Sequence, residues 1–192
     1  MPEFAEFSPS PVRLAPLATR GLEIREATRA DLDAVALISA RRQGSDVAEQ
    51  RAALEHSFGL PGRELSVAVF ESAVIGFGRS SLTEPPPDAP PNAVPGGWYL
   101  GGLVVSPEFR RRGVGHELTR HRLDRLFAHA SRVYYIATAI NAPTIALHER
   151  LGFREIATGI WAPGTSFTGG VGLLFELRRE DYSAAAPAPL PG

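Results

Sequence analysis

The sequence predicts a single α/β domain, and two observations carry that prediction. The first is the stretch from Leu103 to Phe127. Leu103-Val104-Val105 is apolar and mostly β-branched, as a strand buried on both faces should be. Pro107 ends the pairing for want of an N–H, and Gly113 and Gly115 bare the backbone where a helix opens. Val114, Leu118, Leu123, Leu126 and Phe127 then give that helix an apolar stripe. The second observation is the order of patterns along the chain: strand, helix, helix, two strands, strand, helix, strand, helix, two strands. That order has one crossover block and no repeat.

Taken in order, residues 1–20 are rich in Pro and small residues and are expected to form a loosely attached leader, with the domain over 21–182. Leu22-Glu23-Ile24-Arg25 alternates as a first strand would. Thr28-x-x-Asp31 has the form of a capping box, and Leu32, Val35 and Ile38 follow at helical spacing. Residues 41–45 break that helix, and Asp46 caps a second one reaching about Phe58. Leu60-Pro61-Gly62-Arg63 is a turn, and residues 64–70 and 74–82 form two strands joined as a hairpin. Residues 84–97 hold six prolines, which keeps them out of a sheet interior and makes them a long surface loop, either functional or passive. Trp98 to Val105 is the central strand. Residues 133–140 form another, after which Asn141 takes the cap position of a helix with Pro143 in its first turn and Gly152 as its stop. Residues 153–157 and 171–177 are the last strands. Residues 183–192 are an Ala/Pro tail expected to be disordered.

Composition narrows the chemistry. The 192 residues carry a formal charge of -1, so no basic field attracts nucleic acid. There is no cysteine, which excludes disulfides and thiolate chemistry, and every one of the 20 basic residues is arginine, which excludes a lysine nucleophile. The N-terminus has acids where a signal peptide has positive charge, and no run is long enough to span a bilayer, so a cytoplasmic protein is expected. His116, His121 and His129 are spaced by five and eight residues, so no i, i+4 pair exists to hold zinc, and no metal is expected. Arg110-Arg111-Arg112 is a single short cluster with only Phe109 beside it for stacking, too little for a nucleic-acid surface.

That cluster and the glycines after it read instead as an anion site. First-turn N–H groups lack internal partners, the helix dipole adds positive charge, and forked arginine donors flank them. A pyrophosphate fits; a solvated basic turn is the plain alternative. No Lys follows for a nucleoside-triphosphate loop, and Gly101-Gly102 lies too early to complete a dinucleotide fingerprint. The pattern Arg110-x-x-Gly113-x-Gly115, preceded by Leu103-x-Val105-x-Pro107, resembles the acyl-coenzyme A signature of the GNAT superfamily of N-acetyltransferases. Asn141, Leu147, Gly152 and Phe153 match a second block of that family, with Thr144 where Ala or Ser is usual. The resemblance covers roughly residues 22–178.

It implies a GNAT-like mixed, mostly antiparallel central sheet flanked by helices, with a splayed central strand pair. It also implies acetyl-CoA as co-substrate. Arg110, Arg111, Arg112, Gly113, Val114, Gly115 and His116 would cradle the pyrophosphate, the main chain of Leu103, Val104 and Val105 would pair with the pantetheine arm, and Asn141 would brace it. Gly101-Gly102 would supply the bulge that splays the strands, or would merely let another backbone come close. The family's tyrosine acid is replaced here by His148, two helical turns after Asn141. A protonated imidazole could serve as that acid; the alternative is a packing histidine while the thiolate leaves with water. For the base, Glu84 is the candidate, with Tyr99 able to orient a water instead; both also read as ordinary strand-end residues.

The function expected is transfer of an acetyl group to a primary amine by direct attack in a ternary complex, since no cysteine can carry the acyl group. A small-molecule acceptor, including an amine-bearing antibiotic, is expected from Trp98-Tyr99 and the Pro-rich loop as walls of a compact pocket. A protein or peptide amine, and a non-catalytic acyl-CoA sensor, are the alternatives. Dimerisation is common in the family, so a homodimer is an open expectation.

Overall fold

The computed structural model describes residues 21–182 apart from Thr168 and Gly170; the expected leader at 1–20 and tail at 183–192 lie outside the described residues. In chain order the elements are β1 (Leu22–Glu26), α1 (Leu32–Gln43), α2 (Val47–Ser57), β2 (Arg63–Phe70), β3 (Ala73–Thr83), β4 (Gly97–Val105), α3 (Val114–Leu126), β5 (Arg132–Thr138), α4 (Ala142–Arg150), β6 (Arg154–Thr158) and β7 (Gly172–Arg178). The strands form one sheet in the order β1-β2-β3-β4-β5-β7-β6. Only β4 and β5 run parallel, as the crossover through α3 requires, and every other pair is antiparallel. No helix among the described residues is long and apolar enough to cross a membrane.

Local chemistry sets most boundaries. Asp46 accepts from the N–H groups of Ala48 and Glu49 and starts α2. Gly44, in the left-handed region at φ 65°, ends α1, and Gly152 at φ 95° follows α4. The β2–β3 turn is Glu71-Ser72, both at positive φ, the geometry that matches strand twist. Before α1, Asp31 accepts from the Thr28 N–H at 2.7 Å and from the Thr28 hydroxyl at 2.8 Å. It also takes a two-pronged bond from Arg25 at 2.8 and 2.9 Å, and that guanidinium above all holds its carboxyl down at about 2. Asp31→Ala is therefore expected to cost about 2 kcal/mol in urea unfolding at pH 7. The contribution is complete above the unfolded carboxylate value and is lost as pH falls toward 2.

The sheet is covered on both faces. On one, Leu32, Val35 and Ile38 of α1 and Leu54 of α2 pack on Val67, Val69 and Phe77. On the other, Val114 and Leu118 of α3 cover Ala68 and Ile75, and the far end of α3 packs with the α4 side on Leu100, Tyr135 and Phe175. On the α1/α2 face α1 reaches only as far as Val104 of β4, and over Tyr99, Tyr134 and Leu174 the Pro-rich connection does the covering. Val94 is buried against Tyr99, Tyr134 and Ile160. Its N–H donates to the Trp161 carbonyl at 2.9 Å, the Trp161 N–H donates to Asn92, and the Asn92 amide reaches the Gly159 carbonyl at 2.8 Å. The stretch read from its prolines as a surface loop is thus partly a core layer, because one valine and a few main-chain bonds suffice to pin it.

Candidate active site

The site grows from a defect in β4. Trp98, Tyr99 and Leu100 pair with Val133, Tyr134 and Tyr135 of β5, and there the pairing stops. Beyond it the two strands separate. On the other edge of β4, Phe77 faces Val104 and Arg79 faces Gly101, so Gly78 alone stands opposite Gly102 and Leu103. That is a bulge of one extra residue, with Gly102 at φ 54°, where a side chain would strain the backbone. Gly101 and Gly102 are exposed, so their peptide groups border an open cleft.

At the end of β4, Val105 gives way to a short 3-10 turn and then to α3. The first intrahelical acceptor is the Gly113 carbonyl, bonded by the Glu117 N–H at 3.1 Å, so the N–H groups of Val114, Gly115 and His116 are those of the orphan first turn. Gly113 is left-handed at φ 88°, and a side chain built on it would meet no atom within 4 Å. The first turn is thus open at its N-terminal end, with unpaired N–H groups of the kind that suit an anion. Arg111 holds φ 59°, an uncommon conformation for a side-chain-bearing residue, of the kind that gathers at functional sites. Arg110 is exposed, with its Nε donating to the Val105 carbonyl at 2.9 Å. Leu103, Val104 and Val105 are half-buried along the separated edge.

The proposed catalytic residues are placed less favourably. His148 is 2% exposed, stacked on Tyr135 at 3.8 Å between ring centroids, with Phe153 edge-on at 5.2 Å. Its Nδ1 lies 2.8 Å from the Thr144 carbonyl, which can only accept, so that nitrogen carries the proton. Burial pulls the imidazole down to about 4. A neutral ring whose one N–H is already given away has none to offer a thiolate, so the acid reading of His148 yields to the packing one. Glu84 is exposed just beyond Thr83, which pairs with Gly97, about 13 Å along β4 from Gly101. It does not reach the cleft. Tyr99 is buried, stacked on Tyr134, and donates its hydroxyl to the Pro95 carbonyl at 2.6 Å. Burial pushes its phenol up, and it anchors the Pro-rich connection rather than a water. Asn141 does precede α4, but its Oδ1 accepts from the Thr144 hydroxyl at 2.8 Å.

Two arginines that sequence reasoning passed over flank the bulge. Arg122 of α3 is 1% exposed. Its Nη1 donates to the Arg79 carbonyl at 2.9 Å and to the Gly101 carbonyl at 3.1 Å, the facing pair at which the β3–β4 register resumes beside the bulge. Gly78 makes room, since a side chain there would come within 2.7 Å of the guanidinium. On the opposite face the stem of Arg79 crosses Gly102, where an added Cβ would stand 3.3 Å from Arg79 Cδ. The signal for Arg122 was available: an arginine inside the apolar stripe of α3, between Leu118 and Leu123.

Comparison with known proteins agrees with this architecture. The model of the acetyltransferase (GNAT) family matches residues 31–153, more than half of the chain. A [ribosomal protein bS18]-alanine N-acetyltransferase of Salmonella typhimurium is 40% identical over 57 residues, which is 29% of this chain and 38% of that enzyme. The chain thus aligns with well under half the length of that relative. Among solved structures, the ribosomal-protein-S18-alanine N-acetyltransferase of Escherichia coli superposes with a TM-score of 0.63 at 19% identity, over 89% of this chain and 99% of that one. A GNAT superfamily phosphinothricin acetyltransferase of Sinorhizobium meliloti, solved with AcCoA, gives 0.62 at 20% identity, over 88% and 94%. At these identities the likeness is one of fold.

Proposed function

Because the chain belongs to the acetyltransferase (GNAT) family, we propose that it transfers an acetyl group from acetyl-CoA to a primary amine. The observation that carries the reading is the pairing of β4 and β5, which ends at Leu100 and Tyr135 and leaves a glycine bulge open beside the bare first turn of α3. The first-turn N–H groups of Val114, Gly115 and His116, with Arg110, Arg111 and Arg112, would hold the pyrophosphate. The free main-chain edge at Leu103, Val104 and Val105 would take the pantetheine arm as an added strand, and Asn141 would brace it. Acetyl-CoA supplies the activated thioester when bound.

The chain's own part is positioning and polarity. The bulge puts exposed peptide groups of Gly101 and Gly102 where a donor can face the thioester oxygen. Direct attack by the amine is the simplest route, since no cysteine is present to carry the acyl group. With His148 neutral and enclosed, the departing thiolate would take its proton from water. The same withdrawal of His148 favours a second reading, an acyl-CoA-binding domain without turnover. The ribosomal-protein-alanine N-acetyltransferases it resembles favour a third, transfer to a protein amine.

The experiment is thermal stabilisation by acetyl-CoA measured beside free-thiol release with a panel of small amines and short peptides. Stabilisation with turnover is expected; stabilisation alone would select the sensor, and no stabilisation would sink the reading. Gly113→Ala puts a methyl group into the cradle and strains a left-handed position. It is expected to weaken acetyl-CoA binding about tenfold in the same thermal titration, or ~1.4 kcal/mol.

A further inference from the structure

A cavity of about 700 Å³ opens against Gly101 and Gly102, walled by the end of α2, the Phe58-Gly59-Leu60 turn and the adjoining ends of β2 and β3. Its volume suits a small molecule. Leu54, Phe58, Leu60 and Leu65 give it apolar walls, and Arg79 enters from β3 with its stem laid across Gly102 and its guanidinium 5.4 Å from the Phe77 ring. The two carboxylates that line the cavity, Glu26 and Glu64, both lie beside Arg125 of α3. Among the described residues neither carboxylate forms an ion pair with Arg79, whose Nε is buried without a partner. Burial lowers the pKa of this guanidinium, so its charge is held at a cost that the Phe77 ring offsets only in part. Arg63 adds a second positive charge at the rim.

We propose that this cavity receives the acceptor, and that the acceptor is a small amine bearing a carboxylate, an amino acid with an apolar side chain, whose carboxylate pairs with Arg79. The proposal rests on the acetyl-transfer reading above and adds the substrate class. A forked guanidinium matches a carboxylate with two parallel bonds, and an apolar side chain fits the leucine and phenylalanine walls. The pairing would set the amine at the bulge. There the nitrogen bonds to the acetyl carbon as the carbon–sulfur bond breaks. Of the three ammonium protons, one stays on the amide and two pass to water, from which the coenzyme A thiolate takes one back.

The test compares matched acceptors in the thiol-release assay: leucine, leucinamide and isoamylamine; phenylalanine, phenylalaninamide and phenethylamine; and a hexapeptide with an N-terminal alanine. The carboxylate-bearing member of each set is expected to show kcat/KM at least about tenfold above its amide and its amine. Arg79→Gln is expected to erase that preference while leaving the KM for acetyl-CoA unchanged, because the Arg79 carbonyl that Arg122 holds is untouched by the substitution. Arg79→Lys should restore part of it. Equal or better turnover of the amides, the amines or the peptide overturns the proposal, as does failure of every carboxylate-bearing amine to react. Binding of acetyl-CoA, followed by thermal shift on the same protein, separates this failure from failure of the underlying reading. The wild-type comparison stands even if Arg79→Gln does not fold.

Discussion

Lowering the pH from 7 to 5 is expected to remove about 2 kcal/mol of stability through His148 alone. In the folded protein burial holds this imidazole at about 4, whereas the unfolded chain leaves it near 6.5. The unfolded state therefore binds the proton first as pH falls. The neutral ring's contribution is complete above 6.5, erodes from there downward, and is fully spent below about 4. His148→Phe is the matched variant, since phenylalanine keeps the stack on Tyr135 and the edge contact with Phe153 but cannot ionise. Urea unfolding at pH 7 and pH 5 should show a smaller loss in the variant than in the wild type. Acetyl transfer by His148→Phe is expected to stay within a few-fold of wild type. A loss of about a hundredfold or more, the range expected for removing a general acid, would return His148 to the catalytic role.

Sequence reading places backbone devices here and loses what side-chain packing decides. Asp46, Gly44, Gly113 and Gly152 act on backbone groups within a few residues of themselves, so pattern and propensity place them. The stripe Val114, Leu118, Leu123 and Leu126 was legible for the same reason, because helical periodicity is local. Roles that depend on what lies across the sheet were not. Tyr99 and Glu84 stand at the start of one strand and just beyond the end of its neighbour, yet their uses follow from the return of the Pro-rich connection to Trp161 and from the distance of Gly97 from the bulge. His148 occupies a position that resemblance marks for an acid. Whether a ring there points into the cleft or onto Tyr135 is decided by side-chain packing, which spacing does not encode. The bulge itself lies between. Gly101-Gly102 announced it, while its support from Arg122 and Gly78 needed the antiparallel register of β3 on β4.

That support yields the other large expectation: Arg122→Met should cost about 3 kcal/mol in stability and depress acetyl transfer beyond what unfolding explains. The guanidinium is enclosed with no carboxylate paired to it among the described residues, and burial pulls it down to about 10, so methionine relieves a real desolvation cost. Against this stand the carbonyls of Arg79 and Gly101, the facing pair beside the bulge, which Arg122 satisfies at 2.9 and 3.1 Å. Orphaning a buried acceptor costs about 1–3 kcal/mol, and the two part-buried carbonyls together outweigh the relief. Gly101 belongs to the peptide run that borders the cleft, so a carbonyl freed to seek water turns the neighbouring donors away from the thioester. The expected signature is a fall in kcat larger than the change in acetyl-CoA affinity, at a temperature where the variant is fully folded. Gly78→Ala attacks the same support from the other side, since its methyl would come within 2.7 Å of the guanidinium carbon and Nε. It should reproduce the kinetic defect with Arg122 still present. If both variants melt with wild-type Tm and turn over at wild-type rates, the bulge is held by the backbone pairing of β3 and β4 alone, and Arg122 is only a buried charge that the fold tolerates.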